Sequence, residues 1–410
     1  MVNIAILGHG FIGSGVVEVL TKNGEHIAAK AKESINIKYI LDIRDFPSLP
    51  YSDKFTKDFS IIENDDSVKI VVEVMGGTDP AYRYVKACLL KGKSVVTSNK
   101  ELVAEKGAEL LKIAEEKNVN FLFEGSVGGG IPILRPIAQC LAANDILEIA
   151  GILNGTTNFI LTKMTEDGMS FDDALALAQH LGYAERDPSA DVDGADACRK
   201  ICILSSIAFG KHVYPYQVRT EGIRAITPED FAYAESCGHT IKLLGRTKIL
   251  DSGKVIATVG PCFVPYSSPL ANVSDVFNSV LVRGDAIGDV SFYGRGAGKL
   301  PTASAVVADV IDCVKHLSAR KYLFWDEGSK DYVEDPDKEP IKLYLRIRSD
   351  NRFIKKIVSE TFEGAQILAR ENAEESEVGF ITPVMKGYII EQKLSEIPDC
   401  TVLGKMHILE

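Results

Sequence analysis

Residues 3–15 read NIAILGHGFIGSG. NIAIL is a short apolar run of the kind that forms a buried strand. The glycines after it fit G-x-G-x-x-G at Gly8, Gly10 and Gly13. Gly8 permits a tight turn, Gly10 lets the backbone approach a pyrophosphate, and Gly13 lets the next helix pack close to the strand. The amides of Phe11 and Ile12 then meet the phosphate, where the helix dipole also favours negative charge. A glycine turn that only packs is the alternative. The strand before the loop, the amphipathic stretch from Phe11 to about Lys32 and the continuing pattern favour a dinucleotide.

That pattern alternates. INIKYIL (35–41), VKIVVEV (68–74), KSVVTS (93–98) and VNFLFEG (119–125) read as strands. Helices are expected over 79–92 and 101–118, the first opening after Asp79-Pro80 and stopping at Gly92. Apolar strands alternating with helices predict an α/β fold with a doubly wound, Rossmann-type parallel sheet over 1–134. From 135 to 300 helices and strands mix with longer loops, which predicts an α+β substrate and dimerisation domain. A helix over 300–325 is expected to return to the first domain. DEGSKDYVEDPDKEP (326–340) reads as a charged, Pro-bearing boundary. Residues 341–410 read as a small α+β tail.

The composition narrows the function. With 46% apolar and 25% charged residues in 410, the chain buries large cores in two or three domains. A net charge of -11 argues against nucleic-acid or anionic-membrane partners. The sequence has no apolar run of 18 residues and no signal-like start, so a cytoplasmic address is expected. The eight cysteines are scattered singly and read as reduced, buried thiols. Cys198 and Cys202 lie four apart without a second ligand pair, so no metal is expected there.

Polar chemistry gathers at EVMGGT (73–78), TSNK (97–100), EGSVGGGIP (124–132), NGTTN (154–158) and 182–200. The first three are strand ends, where doubly wound sheets bind ligands. Lys100 therefore faces the nicotinamide end of the crevice. Asp196 and Lys200 are four apart, so on a helix they share a face and pair. The acidic run before them is either a solvated helix start or a site for a substrate bearing an ammonium group. Asp42, after the second strand, favours NAD through a ribose hydroxyl, whereas Arg44 would hold the extra phosphate of NADP.

GILNGTTNFIL (151–161) and AERDPSADVDGADACRK (184–200) strongly resemble homoserine dehydrogenase. The glycine loop, VVTSNK, EGSVGGGIP and GRGAGKLPTA (294–303) fall in that family's order, and the resemblance covers about residues 1–320. It implies reversible reduction of aspartate 4-semialdehyde to homoserine by NAD(P)H, in the route to threonine and methionine. Lys200 resembles the proton donor and Lys100 the second active-site lysine. Glu185 resembles the ligand of the substrate ammonium. Asp191 and Asp196 would orient substrate and Lys200, and Asn154, Gly155 and Thr156 would line the pocket. Gly76, Thr78 and Gly296 match the cofactor edge, with NADP slightly preferred over NAD. Glu124, Val127, Gly129 and Ile131 match a loop that binds sodium or potassium mainly through backbone carbonyls; a glycine turn is the alternative. The tail resembles an ACT domain, which implies feedback by threonine, although SDNRF (349–353) replaces the usual Asp-Arg-Pro-Gly turn; dimerisation alone is the competing role. A homodimer or homotetramer is expected.

Two other readings differ in kind. A semialdehyde dehydrogenase needs a cysteine nucleophile beside a base, and none of the cysteines sits in a strand-end loop of the first domain. A dinucleotide-sensing regulator has no use for Lys100, Lys200 and Glu185 together.

Overall fold

A computed structural model of the chain describes residues 1–320 and 323–410. β1 (Val2–Leu7), β2 (Ile35–Leu41), β3 (Phe55–Thr56), β4 (Val68–Glu73), β5 (Ser94–Thr97) and β6 (Phe121–Leu122) form one sheet. Its order is β3-β2-β1-β4-β5-β6 and every pairing is parallel. Strand order reverses between β1 and β4, which opens a crevice at their carboxyl ends. Both faces are covered, so the central strands carry almost only apolar residues: Ile4, Ile6, Ile70, Val71 and Val72 are all buried.

The stretch after the glycine loop forms two helices, Phe11–Lys22 and Gly24–Ala31. The chain breaks at Asn23, a weak helix former. The sheet also gains the two-residue strand β3, too short to leave a periodic signal in the sequence. A helix does return from beyond the second domain, over Lys299–Lys315. Its Ala303, Val306, Val307 and Val310 join one core with Ile4, Ile6 and Val16. Lys321 and Tyr322, within the stretch expected to be helical, lie outside the described residues. Trp325 is 1% exposed and packs edge-on to Phe123 at 5.4 Å. Its Nε1 donates to Nδ1 of His212 at 3.0 Å, and its ring fits only because residue 107 is glycine: a Cβ there would lie 2.6 Å away.

The remaining strands are β7 (Ile146–Ile152), β8 (Arg219–Thr220), β9 (His239–Ile249), β10 (Val255–Pro265), β11 (Phe277–Gly284), β12 (Gly288–Arg295), β13 (Pro340–Ile341), β14 (Leu343–Arg348), β15 (Gln366–Ile367), β16 (Glu377–Ile381), β17 (Met385–Lys386) and β18 (Thr401–Ile408). The second sheet runs β12-β11-β7-β9-β10-β18-β14-β16-β15, with β8 on β10. In the tail β13 and β14 precede a helix at Ile354–Thr361, β15, β16 and β17 follow it, and a helix at Gly387–Ser395 leads into β18.

The tail is not a bead on a string. β18 pairs in parallel with β10, Cys262 opposite His407 and Phe263 opposite Ile408. Tail and substrate domain therefore share one sheet. The stretch 326–340, read from its charge as a boundary, is strapped down. Asp326 and Val333 bridge to Lys211 and Val255, and Arg219 reaches Asp335 at 2.9 Å and Asp337 at 2.7 Å. Asp335, Asp337 and Glu334 thus find partners, Arg219 and Lys254, far away along the chain.

A buried polar seam completes the junction. The Tyr344 hydroxyl donates to Asp230 at 2.9 Å, and Nε of Arg346 lies 3.1 Å from the same carboxylate. Glu377 accepts from Tyr233 at 3.1 Å and from Arg370 at 2.9 Å. Removing one partner of such a network strands the others without water. Asp230→Ala should lower the free energy of unfolding by ~3 kcal/mol in chemical denaturation. A loss under ~1 kcal/mol would mean that the seam does not hold the tail.

Candidate active site

The glycine loop is built as its spacing implies. Gly8 has φ of +97° and donates its N–H to Leu41 at 2.8 Å. At Gly13 a Cβ would lie 2.0 Å from the Gly8 carbonyl oxygen, so no side chain fits. Gly10 caps the helix, and nothing lies within 4 Å of where its Cβ would be. The first intrahelical bond at this end runs from the Ser14 N–H to Gly10, at 3.0 Å. The N–H groups of Phe11 and Ile12 precede it and are left for an anion. The open approach, the orphan amides and the forced glycine fit a dinucleotide pyrophosphate.

Just past β2 stands a local ion pair. The Asp42 carboxylate accepts from the backbone N–H of His9 at 2.8 Å and of Arg44 at 2.9 Å, and from the Arg44 guanidinium at 3.0 Å. The Arg44 hydrogen bonds hold the Asp42 carboxyl well below the usual carboxylate range, against its burial. Sequence reasoning passed over His9. Its ring is buried edge-on to Phe46 at 4.8 Å and Phe55 at 5.1 Å, which ties the segment after β2 to the glycine loop. Burial lowers its pKa, against the Asp42 charge, which favours the neutral ring. A histidine between two glycines carries no periodic signal.

Across the crevice stands the helix Ala195–Phe209. Asp196 and Lys200 share its buried face, and Nζ of Lys200 donates to Asp196 Oδ2 at 2.7 Å and to the Leu153 carbonyl at 2.7 Å. The other Asp196 oxygen pairs with Lys100. Lys100 is the first residue of the helix Lys100–Glu116, which follows β5 of the cofactor sheet. One carboxylate thus joins lysines from two domains. Arg199 and Glu101 form a second tie at 3.2 Å. Asn154 donates to Asp191 at 2.7 Å and Asp196 at 2.9 Å, while its Oδ1 caps the helix Gly155–Glu166 by accepting from the Thr157 N–H. At Gly155 a Cβ would lie 2.8 Å from the Val276 carbonyl oxygen.

Position separates the two lysines chemically. Burial pulls the pKa of Lys200 down, against the Asp196 charge. Burial also acts on Lys100, but the charge and hydrogen bond of Asp196 outweigh it and raise the pKa. Burial pushes the Asp196 carboxyl up, and the two ammonium groups override it, so Asp196 stays ionised. Asp191 is raised by burial.

Two expected pocket residues make no hydrogen bond or ion pair with Asp196, Lys100 or Lys200 among the described residues. Thr156 spends its hydroxyl on the Tyr183 carbonyl at 2.8 Å, anchoring the segment 182–185. Glu185 is exposed, with its backbone carbonyl held by Gln179 at 3.0 Å. Thr78 donates to Glu105 at 3.2 Å beside Gly76, whose φ is +84°. Of the cysteines, Cys140 is exposed and Cys237 and Cys400 are half-buried, which corrects the reading of eight buried thiols; all are unpaired. Isolated cysteines give no sequence signal of depth.

The loop 124–131 commits the Glu124 carboxylate to the backbone N–H groups of Ile133, Leu134 and Arg135, at 2.6, 2.9 and 2.9 Å. A side chain so used leaves cation binding to the carbonyls. Those of Val127, Gly129 and Ile131 accept no hydrogen bond among the described residues. Gly128 could bear no side chain, since its Cβ would lie 2.3 Å from the Ile131 carbonyl oxygen. Gly129, with φ of +56°, packs on the Gly296 carbonyl in the same way at 2.4 Å. This donor set suits a monovalent cation.

Residues 8–124 match the model for the homoserine dehydrogenase NAD-binding domain, and residues 132–311 match the model for homoserine dehydrogenase. A homoserine dehydrogenase of Pseudomonas aeruginosa is 38% identical over 409 residues, covering 96% of this chain and 94% of its own. The solved homoserine dehydrogenase of Thiobacillus denitrificans superposes with a TM-score of 0.89 at 34% identity, over 100% of this chain and 98% of that one. The chain belongs to the homoserine dehydrogenase family. It is an NAD(P)-dependent oxidoreductase of that family. A hyperthermophilic archaeal homoserine dehydrogenase mutant, solved in complex with NADPH, superposes at a TM-score of 0.64 with 28% identity, over 76% of this chain and 97% of that one. The two matched regions face each other across the crevice: one carries the glycine loop and Lys100, the other Asn154, Asp196 and Lys200.

Two alanine substitutions separate a forced glycine from a free one. Gly13→Ala should abolish NADPH binding in calorimetric titration. Gly24→Ala, with nothing within 4 Å, should leave it unchanged. Equal affinity in both would remove the pyrophosphate assignment.

Proposed function

We propose that the chain catalyses reversible reduction of L-aspartate 4-semialdehyde to L-homoserine with NAD(P)H, in amino-acid biosynthesis, and that Lys200 is its proton donor. The observation that carries the assignment of roles is the buried Asp196 carboxylate held between Lys200 and Lys100. The bound dinucleotide supplies the hydride. Reduction builds negative charge on the carbonyl oxygen, which a nearby ammonium stabilises and then protonates. Lys200 suits proton transfer because burial loosens its hold on the proton. Asp196 and the Leu153 carbonyl fix its Nζ. Lys100 keeps its charge and serves as the electrostatic partner near the nicotinamide. Asp191 and Asn154 orient substrate, and Glu185 receives the substrate ammonium from the edge of the pocket.

NADP is the preferred cofactor in this reading. The Asp42 carboxylate is already saturated with donors, while the Arg44 guanidinium beside it is 57% exposed and open to a ribose phosphate. A sodium or potassium ion held by the carbonyls of Glu124, Val127, Gly129 and Ile131 would stiffen the loop packed on Gly296. The tail, whose two helices lie between strands β14, β16 and β18 of the shared sheet, acts as an ACT-like unit in a homodimer or homotetramer, with threonine as effector. The eight unpaired thiols suit the cytoplasm.

One assay tests these readings together: homoserine oxidation with NADP or NAD, with sodium or potassium, and with or without threonine. Faster turnover with NADP, dependence on the cation and inhibition by threonine are expected; each negative result removes its own assignment. Lys200→Ala should lower kcat by roughly 10²–10⁴-fold. In the oxidation direction Lys200 must be neutral to accept the proton, so kcat should rise with pH to a plateau below the ordinary lysine range. In the reduction direction the same group must be protonated, and the limb should invert. Lys200→Ala should flatten both limbs; a retained limb would assign the proton to another group.

A further inference from the structure

Glu73, the last residue of β4, is 0% exposed, and no step above uses it. Its two oxygens accept from the Thr97 hydroxyl at 2.6 Å and the Met75 N–H at 2.8 Å. Among the described residues it forms no ion pair. Burial pushes the Glu73 carboxyl up; in either protonation state a buried acid group is costly, and an apolar residue like the neighbouring Val71 and Val72 would end the strand without that cost. The carboxylate therefore needs a reason.

The reason lies in what hangs from it. The Thr97 hydroxyl that donates to Glu73 also accepts the Asn99 N–H at 2.9 Å. The Asn99 amide donates to the Gly77 carbonyl at 2.6 Å. Its oxygen accepts from the Leu102 N–H at 3.1 Å and so caps the helix that begins at Lys100. Glu73 thus ties together the ends of β4 and β5, the loop 74–78 and the helix start that carries Lys100. Those strand ends border the cofactor crevice.

We infer that Glu73 is a positioning residue for the reduction step: through Thr97 and Asn99 it fixes the Lys100 ammonium relative to the loop 74–78. This rests on the proposed role of Lys100 at the reacting centre. Thr97→Val cuts the same link one bond further on while nearly keeping the side-chain shape, and serves if Glu73→Gln folds poorly.

The test is a set of variant cycles on the full-length enzyme, with kcat, the NADPH dissociation constant and the thermal midpoint measured for each. Glu73→Gln and Thr97→Val should each lower kcat by about tenfold, because small displacements of a catalytic group are costly. The pair combined should be no slower than the slower single variant, and adding Glu73→Gln to Lys100→Ala should cost under about twofold more, since residues acting through one another are not additive. Losses that multiply, or a fall in thermal midpoint with kcat intact, would make Glu73 a packing residue and overturn the inference. Normal turnover in Lys100→Ala would instead defeat the role of Lys100, an outcome visible separately from the behaviour of Glu73.

Discussion

One carboxylate governs this molecule. Asp196 lies buried between an ammonium from its own helix and one from the cofactor domain. Alone at that depth it would be protonated or would draw in water. With both lysines it is ionised, and the two domains are joined across the crevice. The same carboxylate also makes unequal lysines. It only partly offsets the burial of Lys200, whereas for Lys100 it dominates. Two identical side chains acquire distinct proton affinities from position, as acid–base catalysis requires.

The surroundings keep that geometry tight by removing side chains rather than adding them. Gly13, Gly128, Gly129 and Gly155 each stand where a Cβ would collide with a backbone oxygen. The helix Lys299–Lys315 packs so closely on the glycine-loop helix that a Cβ at Gly15 would lie 2.9 Å from the Lys299 carbonyl oxygen. Its buried Asp309 accepts from the Glu124 N–H at 2.8 Å and from Arg135 at 2.5 Å. A segment far along the chain thereby braces the cofactor loop and the loop of open carbonyls at once.

Much of this was legible because it is local. The glycine spacing, the apolar strands and the four-residue step from Asp196 to Lys200 are each set by one turn or one strand. The sequence places Lys100 at a strand end, and that too is local. What could not be read involves partners distant in sequence. Glu73 resembles any acidic residue ending a strand until Thr97 and Asn99 stand beside it. The charged stretch 326–340 reads as a boundary until Arg219 is found against Asp335 and Asp337. The parallel pairing of β18 with β10 depends on a register between segments far apart in the chain. Glu185 sits in the motif beside Asp191 and Asp196, yet the fold leaves its side chain in solvent; motif membership does not encode burial.

Trp325 gives the molecule an internal optical reporter. It is the chain's single tryptophan, so its emission comes from one known place. That place is the crossing of three parts: Gly107 on the helix that begins at Lys100, His212 just past the helix that carries Lys200, and the strap leading to the tail. A spectral shift there would register any loosening between the two lysine-bearing helices without an added label. The ring that closes the core also reports on the alignment of the site.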